Sequence, residues 1–425
     1  MTAPTRASPP GDLPWQVLVL YRPERDPVMS PHRHHDVVIV GGGNAGISLA
    51  AELRRMGCHD VAIVEPKQVH HYRPLLSYVA GGLATLDDLT RTQDRCVPDG
   101  CTWYTDEAMA IDPDRAVVRL STGDELHYND VAVCPGSRID WDAVPGAWQA
   151  VGTPSAATSY LPEMAAKTWT MLSALTAGRA VFVISDRHVP CAPVGLKPLF
   201  LAADHWRRTG VLGDIEIDLL VQGERLVDHD GAERELRTAA ADYGVRVRTG
   251  VSVEAVDAPT RTLRVRTPAG TEEVCYDALY LAPPHRAPDW VAECGLSTPD
   301  SDGFVAVDSR TLRHRTHPRV WGLGDVATVD TLPSGGALRK QVPVVAHNIA
   351  ANRAGRPLRH YDGYSVAPVT TSRRELLLAE FDRDGRPQPT VSTPDLTRPR
   401  RSTFVFDRYL EPQVYWHRLL KGNVS

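Results

Sequence analysis

The sequence predicts an α/β fold: two doubly wound, Rossmann-like units and a small C-terminal segment. Three observations carry this. An apolar run (Val37, Val38, Ile39, Val40) feeds a Gly41-x-Gly43-x-x-Gly46 triplet, a helical pattern, and a second apolar run, VAIVE, that ends at Glu65. A second buried-strand pattern, GRAVFVIS (Gly178–Ser185), stands at the head of another helical stretch. A third apolar run returns late in the chain and ends in Gly322-Leu323-Gly324-Asp325.

Taken in order, residues 1–35 read as an extension rich in proline, arginine and histidine, disordered by composition. Its one apolar patch, Val17–Leu20, is too short for a signal peptide core and is followed at once by charges. Met29 is a candidate natural start, and the HRHH run (His32–His35) reads as a solvated lead-in rather than a metal site. Residues 36–150 hold the first part of a nucleotide-binding domain, which closes on a strand, YNDVAVCPGS, and a Pro135-Gly136 turn. In its opening motif Gly41 permits a tight turn, Gly43 lets the backbone approach a pyrophosphate, and Gly46 allows close helix–strand packing. Glu65, nineteen residues after Gly46, suits a ribose hydroxyl.

Residues 151–295 form an inserted second unit, with strands at 180–184, 215–221 and 245–249 and helices near 197–208 and 231–243. Its first turn lacks the glycines that would hold a second nucleotide. It reads DRHVPCAPVGLKPLF, where Pro190, Pro193 and Pro198 lack the N–H groups a phosphate needs. The turn presents Cys191 instead. Residues 296–360 return to the first domain, with Asp325 placed to bond the ribityl or phosphate-proximal hydroxyls of an extended nucleotide and a helix starting near Lys340. Residues 361–425 form the C-terminal segment, whose RYLEPQVYWHRLLKG stretch carries Tyr409, Leu410, Val414, Tyr415, Trp416, Leu419 and Leu420 among basic residues, as an interfacial helix would.

Composition narrows the function. The chain is 42% hydrophobic and 23% charged, ordinary for a folded protein. A net charge of −5 with scattered arginines implies no nucleic-acid partner. Seven cysteines without a CxxC pair argue against a disulfide scaffold or a zinc site, so reduced thiols in the cytoplasm are expected, and no bound metal. No apolar run reaches the roughly 18 residues of a membrane span.

With these motifs in place, the chain resembles the two-dinucleotide-domain flavoproteins of the glutathione-reductase type, and within them the sulfide:quinone oxidoreductases, from about residue 36 to 421. The motifs are GGGNAGI (41–47), VEP (64–66), HHYRPL (70–75), the cysteine followed six residues on by Lys197, AADHWRRTG (202–210), GLGDVA (322–327), RKQVPVVA (339–346), YDGY (361–364), LLAEFD (377–382) and YWHRLLKG (415–422). The resemblance implies FAD, oxidation of sulfide or a small thiol, and a quinone acceptor. It places FAD on Gly41, Gly43, Asn44, Ala45, Gly46, Glu65, Pro66, Gly136, Gly324 and Asp325, with Lys340 beside the flavin ring, where a cation stabilises anionic reduced flavin. It matches Cys191 to the family's first redox cysteine. A thiolate there wants a nearby cation, for which His188 and Lys197 are candidates by proximity in sequence. Weak peripheral contact with the inner face of the cell membrane and homo-oligomerisation are compatible with it.

One departure stands out. The family's second redox cysteine follows YDGY, in a pattern like YDGY-T-S-C-P; here the segment is YDGYSVAP, with Ala367 at that position. A two-cysteine sulfur relay cannot run, and Cys191 needs another partner, an external thiol acceptor or a different substrate. Cys134, at a strand end near the expected flavin, is the weak internal candidate. Two alternatives stay open: a flavin-binding protein that has lost turnover and serves in sulfur binding or interaction, and an FAD oxidoreductase fed by NAD(P)H, which the missing second glycine triplet opposes.

Overall fold

The computed structural model describes residues 33–186 and 188–423. The extension expected over residues 1–35 lies outside it up to residue 32. The first strand begins at Arg33, earlier than expected, so most of the histidine run is strand. His35 there bonds Asp60 through Nδ1 (2.6 Å) and Tyr104 through Nε2 (2.8 Å).

Two sheets organise the described residues. In the first, the strand Arg33–Val40 lies at the centre, parallel to Val61–Val64 on one side and to Glu125–Val133 on the other. Thr102–Tyr104 extends one edge, and Val320–Gly322 pairs in parallel with Glu125–Val133, which brings the GLGD return beside the fingerprint. The four-residue run Val61–Val64 is wholly buried, as expected for parallel strands covered on both faces. Antiparallel strands Ala108–Asp112 and Val117–Leu120 close the far side.

The second sheet is all parallel, in the order Ala156–Ala157, Ala278–Ala282, Gly178–Ile184, Ile215–Val221, Arg246–Thr249. Helices cross between neighbouring strands, Lys197–Thr209 and Asp230–Asp242 among them, but the return from Arg246–Thr249 to Ala278–Ala282 carries no helix. A three-stranded antiparallel ribbon (Ser252–Asp257, Thr262–Thr267, Gly270–Cys275) covers one face. The cores are separate. Val37, Ile39, Val131 and Trp321 fill the first; Phe182, Trp206, Leu219 and Tyr280 fill the second. In each sheet the connections that matter leave the carboxyl ends of the strands, where ligands bind in open α/β sheets.

Candidate active site

The turn after Arg33–Val40 is shaped by what its glycines exclude. Gly41 has φ +108°, and a Cβ there would strike the Cys134 carbonyl. A Cβ on Gly46 would strike the Gly41 carbonyl oxygen, so the helix Asn44–Arg55 can sit on the strand only with glycine there. Gly43 is different: no protein atom lies within 4 Å of where its Cβ would be. Gly41 and Gly46 make the turn, and Gly43 opens onto empty space. Glu65 caps the loop, accepting from the amides of Gly42 (2.8 Å) and Lys67 (2.9 Å) with lone pairs to spare for a ribose hydroxyl.

Across the cleft, Gly324 (φ +76°) donates its N–H to Gln341 Oε1 at 2.9 Å, tying the GLGD turn to the helix Leu338–Arg353. No described residue donates to the Asp325 carboxylate. Burial pushes its pKa up, with Arg73 opposing. The Pro135-Gly136 turn also faces open space at Gly136, and the buried hydroxyls of Ser137 and Thr331 have no partner among the described residues. The amide cradle, an acid without a donor and two orphaned hydroxyls are the groups an extended, polyhydroxylated dinucleotide would satisfy.

Cys191 sits at the head of the second unit in a left-handed conformation (φ +48°). Its N–H donates to Pro333 O (2.6 Å), its carbonyl accepts from Val194 N (2.8 Å), and its thiol points at Val366 O, 3.6 Å away. Val366 immediately precedes Ala367, which is fully buried in the strand Ser365–Thr370, in the same cluster against which Cys191 packs. Burial pushes the Cys191 thiol up to about 12; the Lys197 ammonium and the Val194 N–H act against this.

The pyridine nucleotide-disulphide oxidoreductase family matches residues 35–175. Mitochondrial sulfide:quinone oxidoreductases are similar over nearly the whole chain. That of Dictyostelium discoideum is 29% identical, covering 91% of this chain and 86% of its own; that of Mus musculus is 27% identical, covering 92% and 87%. The crystal structure of the sulfide:quinone oxidoreductase from Aquifex aeolicus superposes with a TM-score of 0.78 at 18% identity, covering 92% of each chain, which carries the fold. The chain is a divergent relative of the sulfide:quinone oxidoreductases. It is an FAD-dependent oxidoreductase, and FAD is the group that the glycine cradle, Asp325 and the orphaned hydroxyls fit.

Of the other residues matched to this family, Asn44 opens the first helix and bonds Gly335 O (3.5 Å) across the cleft, and Ala45 packs beneath Gly324. Pro66 follows Glu65 on the surface. Lys340 is half exposed, 3.4 Å from Asp362 and above the Tyr364 ring. Of the two candidate cations, Lys197 lies close to the thiol, fully buried and 2.8 Å from Asp407. His188 is turned away, bonded to Asp302 (3.1 Å) and stacked on Phe304. Cys134 lies in the core of the first sheet, and all seven cysteines are free.

The interfacial helix expected at the C-terminus needs correction. The segment breaks into Arg401–Val405, a π-turn Phe406–Leu410, Glu411–His417 and a final 3₁₀ turn. Tyr415, Trp416, Leu419 and Leu420 are buried against the first domain, because the chain turns inward there and Gly422 seats on the first helix near Ala51. Only Tyr409 and Leu410, joined by Val405 and Phe406, face outward.

Sequence reasoning missed several polar residues that hold the site. Gln93 donates to Gly42 O (2.8 Å) and fills the space beside Gly42. His70, in the HHYRPL motif, contacts the same carbonyl (3.1 Å) and Tyr415 OH (2.5 Å), so the C-terminal segment braces the nucleotide loop. Burial lowers the His70 pKa to about 4. The detectable signal was polar residues inside otherwise apolar runs; their partners lie too far along the chain for spacing to show them.

Proposed function

We propose that the protein oxidises sulfide or a small thiol, with Cys191 as the sulfur-carrying thiol, and passes the electrons through FAD to a quinone. The observation that carries the reading is Cys191, whose backbone N–H and carbonyl are each held by a hydrogen bond where the turn of the second unit would otherwise hold a nucleotide. FAD, when bound, supplies a two-electron acceptor between substrate and quinone. The protein's own residues orient the sulfur, exclude water from it and supply positive charge from Lys197. With Ala367 opposite, no internal thiol resolves a persulfide on Cys191, and an external thiol must take the sulfur. Overall, one H₂S and one thiol RSH become RSSH, while two electrons and two protons reduce the quinone. Losing the internal partner forfeits the high effective concentration of an intramolecular thiol, so turnover is slow and depends on added acceptor.

Quinone access fits the outward face of the C-terminal segment. Val405, Phe406, Tyr409 and Leu410 are each 41–54% exposed, an apolar patch suited to shallow, reversible contact with a membrane surface. No described helix is long and apolar enough to cross a membrane.

The test is sulfide-dependent reduction of a short-chain quinone, with sulfite or glutathione as acceptor. Cys191→Ser should lose it, and Ala367→Cys should raise it, because position 367 follows the carbonyl that the thiol faces. Full activity in Cys191→Ser removes the thiol from the mechanism. The alanine at 367 also favours a second reading, a flavoprotein without turnover. Bound FAD with no sulfide-dependent bleaching in wild type or Ala367→Cys would establish it.

A further inference from the structure

Trp148 is 53% exposed, and neither the FAD cradle nor the cysteine turn accounts for a tryptophan in solvent. It belongs to the loop that follows the Pro135-Gly136 turn, and that loop is tied down. Trp141–Ala143 form a 3₁₀ turn, and Pro145 O accepts from Val256 N (2.8 Å) in the antiparallel ribbon. Gly146 has φ +83°, and a Cβ there would strike the Val256 carbonyl oxygen, so the loop lies directly on the ribbon. The short helix Ala147–Val151 buries Ala147, Ala150 and Val151, which leaves Trp148 and Gln149 facing outward.

Trp141 packs against the core beneath the ribbon, and its ring meets that of Trp148 with centroids 5.2 Å apart and planes tilted by 57°. The two indoles, with Asp142, Pro145, Gly146 and Gln149, line a surface cavity of about 480 Å³. That is the size of a small-molecule site. Asp142 is the one charged side chain in the lining, and no described residue bonds its carboxylate. The guanidinium groups on the strand pair just before the loop are taken: Arg138 and Arg286 both meet Asp289, and Arg286 also meets Asp140 (4.0 Å).

A carboxylate beside two indoles attracts a cation and repels an anion. What the cavity lacks decides which cation. An ammonium or guanidinium needs acceptors for its N–H groups, and the lining side chains offer them only on Asp142 and Gln149. A quaternary ammonium has no N–H to satisfy, and it gains from aromatic faces and one counter-charge. We propose that this cavity binds the trimethylammonium group of a small organic cation, with Trp141 and Trp148 against its methyl groups and Asp142 as the counter-charge. The site stands apart from the reading of Cys191.

The test titrates choline into the full-length, FAD-loaded protein, followed by calorimetry and by the upfield shift that indole rings impose on the N-methyl proton resonance. Saturable binding is expected at or below about 10 mM. Trp148→Ala and Asp142→Asn should each weaken it about fivefold or more while keeping the flavin absorbance. Neopentyl carbinol, the uncharged carbon isostere of choline, should bind about tenfold more weakly or not at all. Met109→Ala, which removes another exposed side chain, should leave choline binding unchanged. The proposal is overturned by the absence of saturable choline binding, by an isostere that binds as tightly as choline, or by unaltered binding in either Trp148→Ala or Asp142→Asn. Phosphatidylcholine vesicles that hold the wild type through Trp148, with no binding of free choline, would place the group on a lipid and equally overturn it.

Discussion

At the scale of single residues, the three fingerprint glycines do different work. Gly41 and Gly46 are required by the protein itself, since a side chain at either meets backbone, whereas Gly43 borders only open space. Gly43→Val should therefore fold normally and lose FAD, while Gly46→Ala should lose thermal stability whether or not FAD is added. Flavin absorbance and melting curves of the two variants check this; a Gly43→Val protein that keeps its flavin contradicts it. A second residue-scale prediction concerns Lys197, whose fully buried ammonium meets Asp407 at 2.8 Å while Tyr78 also donates to that carboxylate. Removing one partner of such a pair leaves an uncompensated buried charge and costs about 3–5 kcal/mol. Lys197→Met should show that loss in denaturant unfolding, and Lys197→Met combined with Asp407→Asn should recover much of it.

At the scale of elements, the C-terminal π-turn carries two buried charged neighbours. Asp407 and Arg408 are adjacent in sequence and both buried, the first bonded to Lys197 and Tyr78, the second to Leu83 O and Asp88. Glu411 follows in the next helix, 2.5 Å from Arg339. Burial, and after it the nearby Asp407, push its pKa up to about 7 against the pull of Arg339 and Lys197. Tyr72 and Tyr78 complete the charged and titratable surroundings. Because the folded pKa lies above the ordinary glutamate value, the stabilising contribution is complete below about pH 4.5 and is lost as pH rises toward 7. Glu411→Gln should flatten that part of the stability–pH curve. Denaturation midpoints at about pH 5 and pH 7.5 measure it, and an unchanged gap between them would count against the assignment.

At the scale of the whole molecule, two units of similar parallel-sheet pattern differ at the turn after the first strand. The first keeps open space at its glycine turn. The second has filled the equivalent place with itself: a Cβ on Gly195 would already crowd Ile184 and Ala282, and Lys197 and Pro198 are buried in the first turn of the following helix. NADH and NADPH should therefore bleach the flavin slowly or not at all, since no free run of amides greets a second pyrophosphate. Anaerobic mixing followed at the flavin band decides it, and rapid saturable bleaching at micromolar nucleotide would refute it. The C-terminal segment joins the units, bracing the nucleotide loop through Tyr415 and His70 and the cysteine helix through Asp407 and Lys197.

The sequence by itself determined the parts governed by local rules. Glycine spacing, strand-length apolar runs and the GLGD return announced the fold and the FAD cradle, because turn sterics and burial act on neighbouring residues. The proline-bearing turn showed a cysteine where a second nucleotide-binding turn would carry glycines, and Ala367 marked the departure from the motif that YDGY opens. Only the tertiary structure decided which polar groups converge. Lys197 meets a carboxylate 210 residues away, and His70 meets a phenol 345 residues away. It also turned the aromatic C-terminus inward, leaving Val405, Phe406, Tyr409 and Leu410 outside. Long-range pairing depends on how the two sheets pack, and residue spacing holds no record of it.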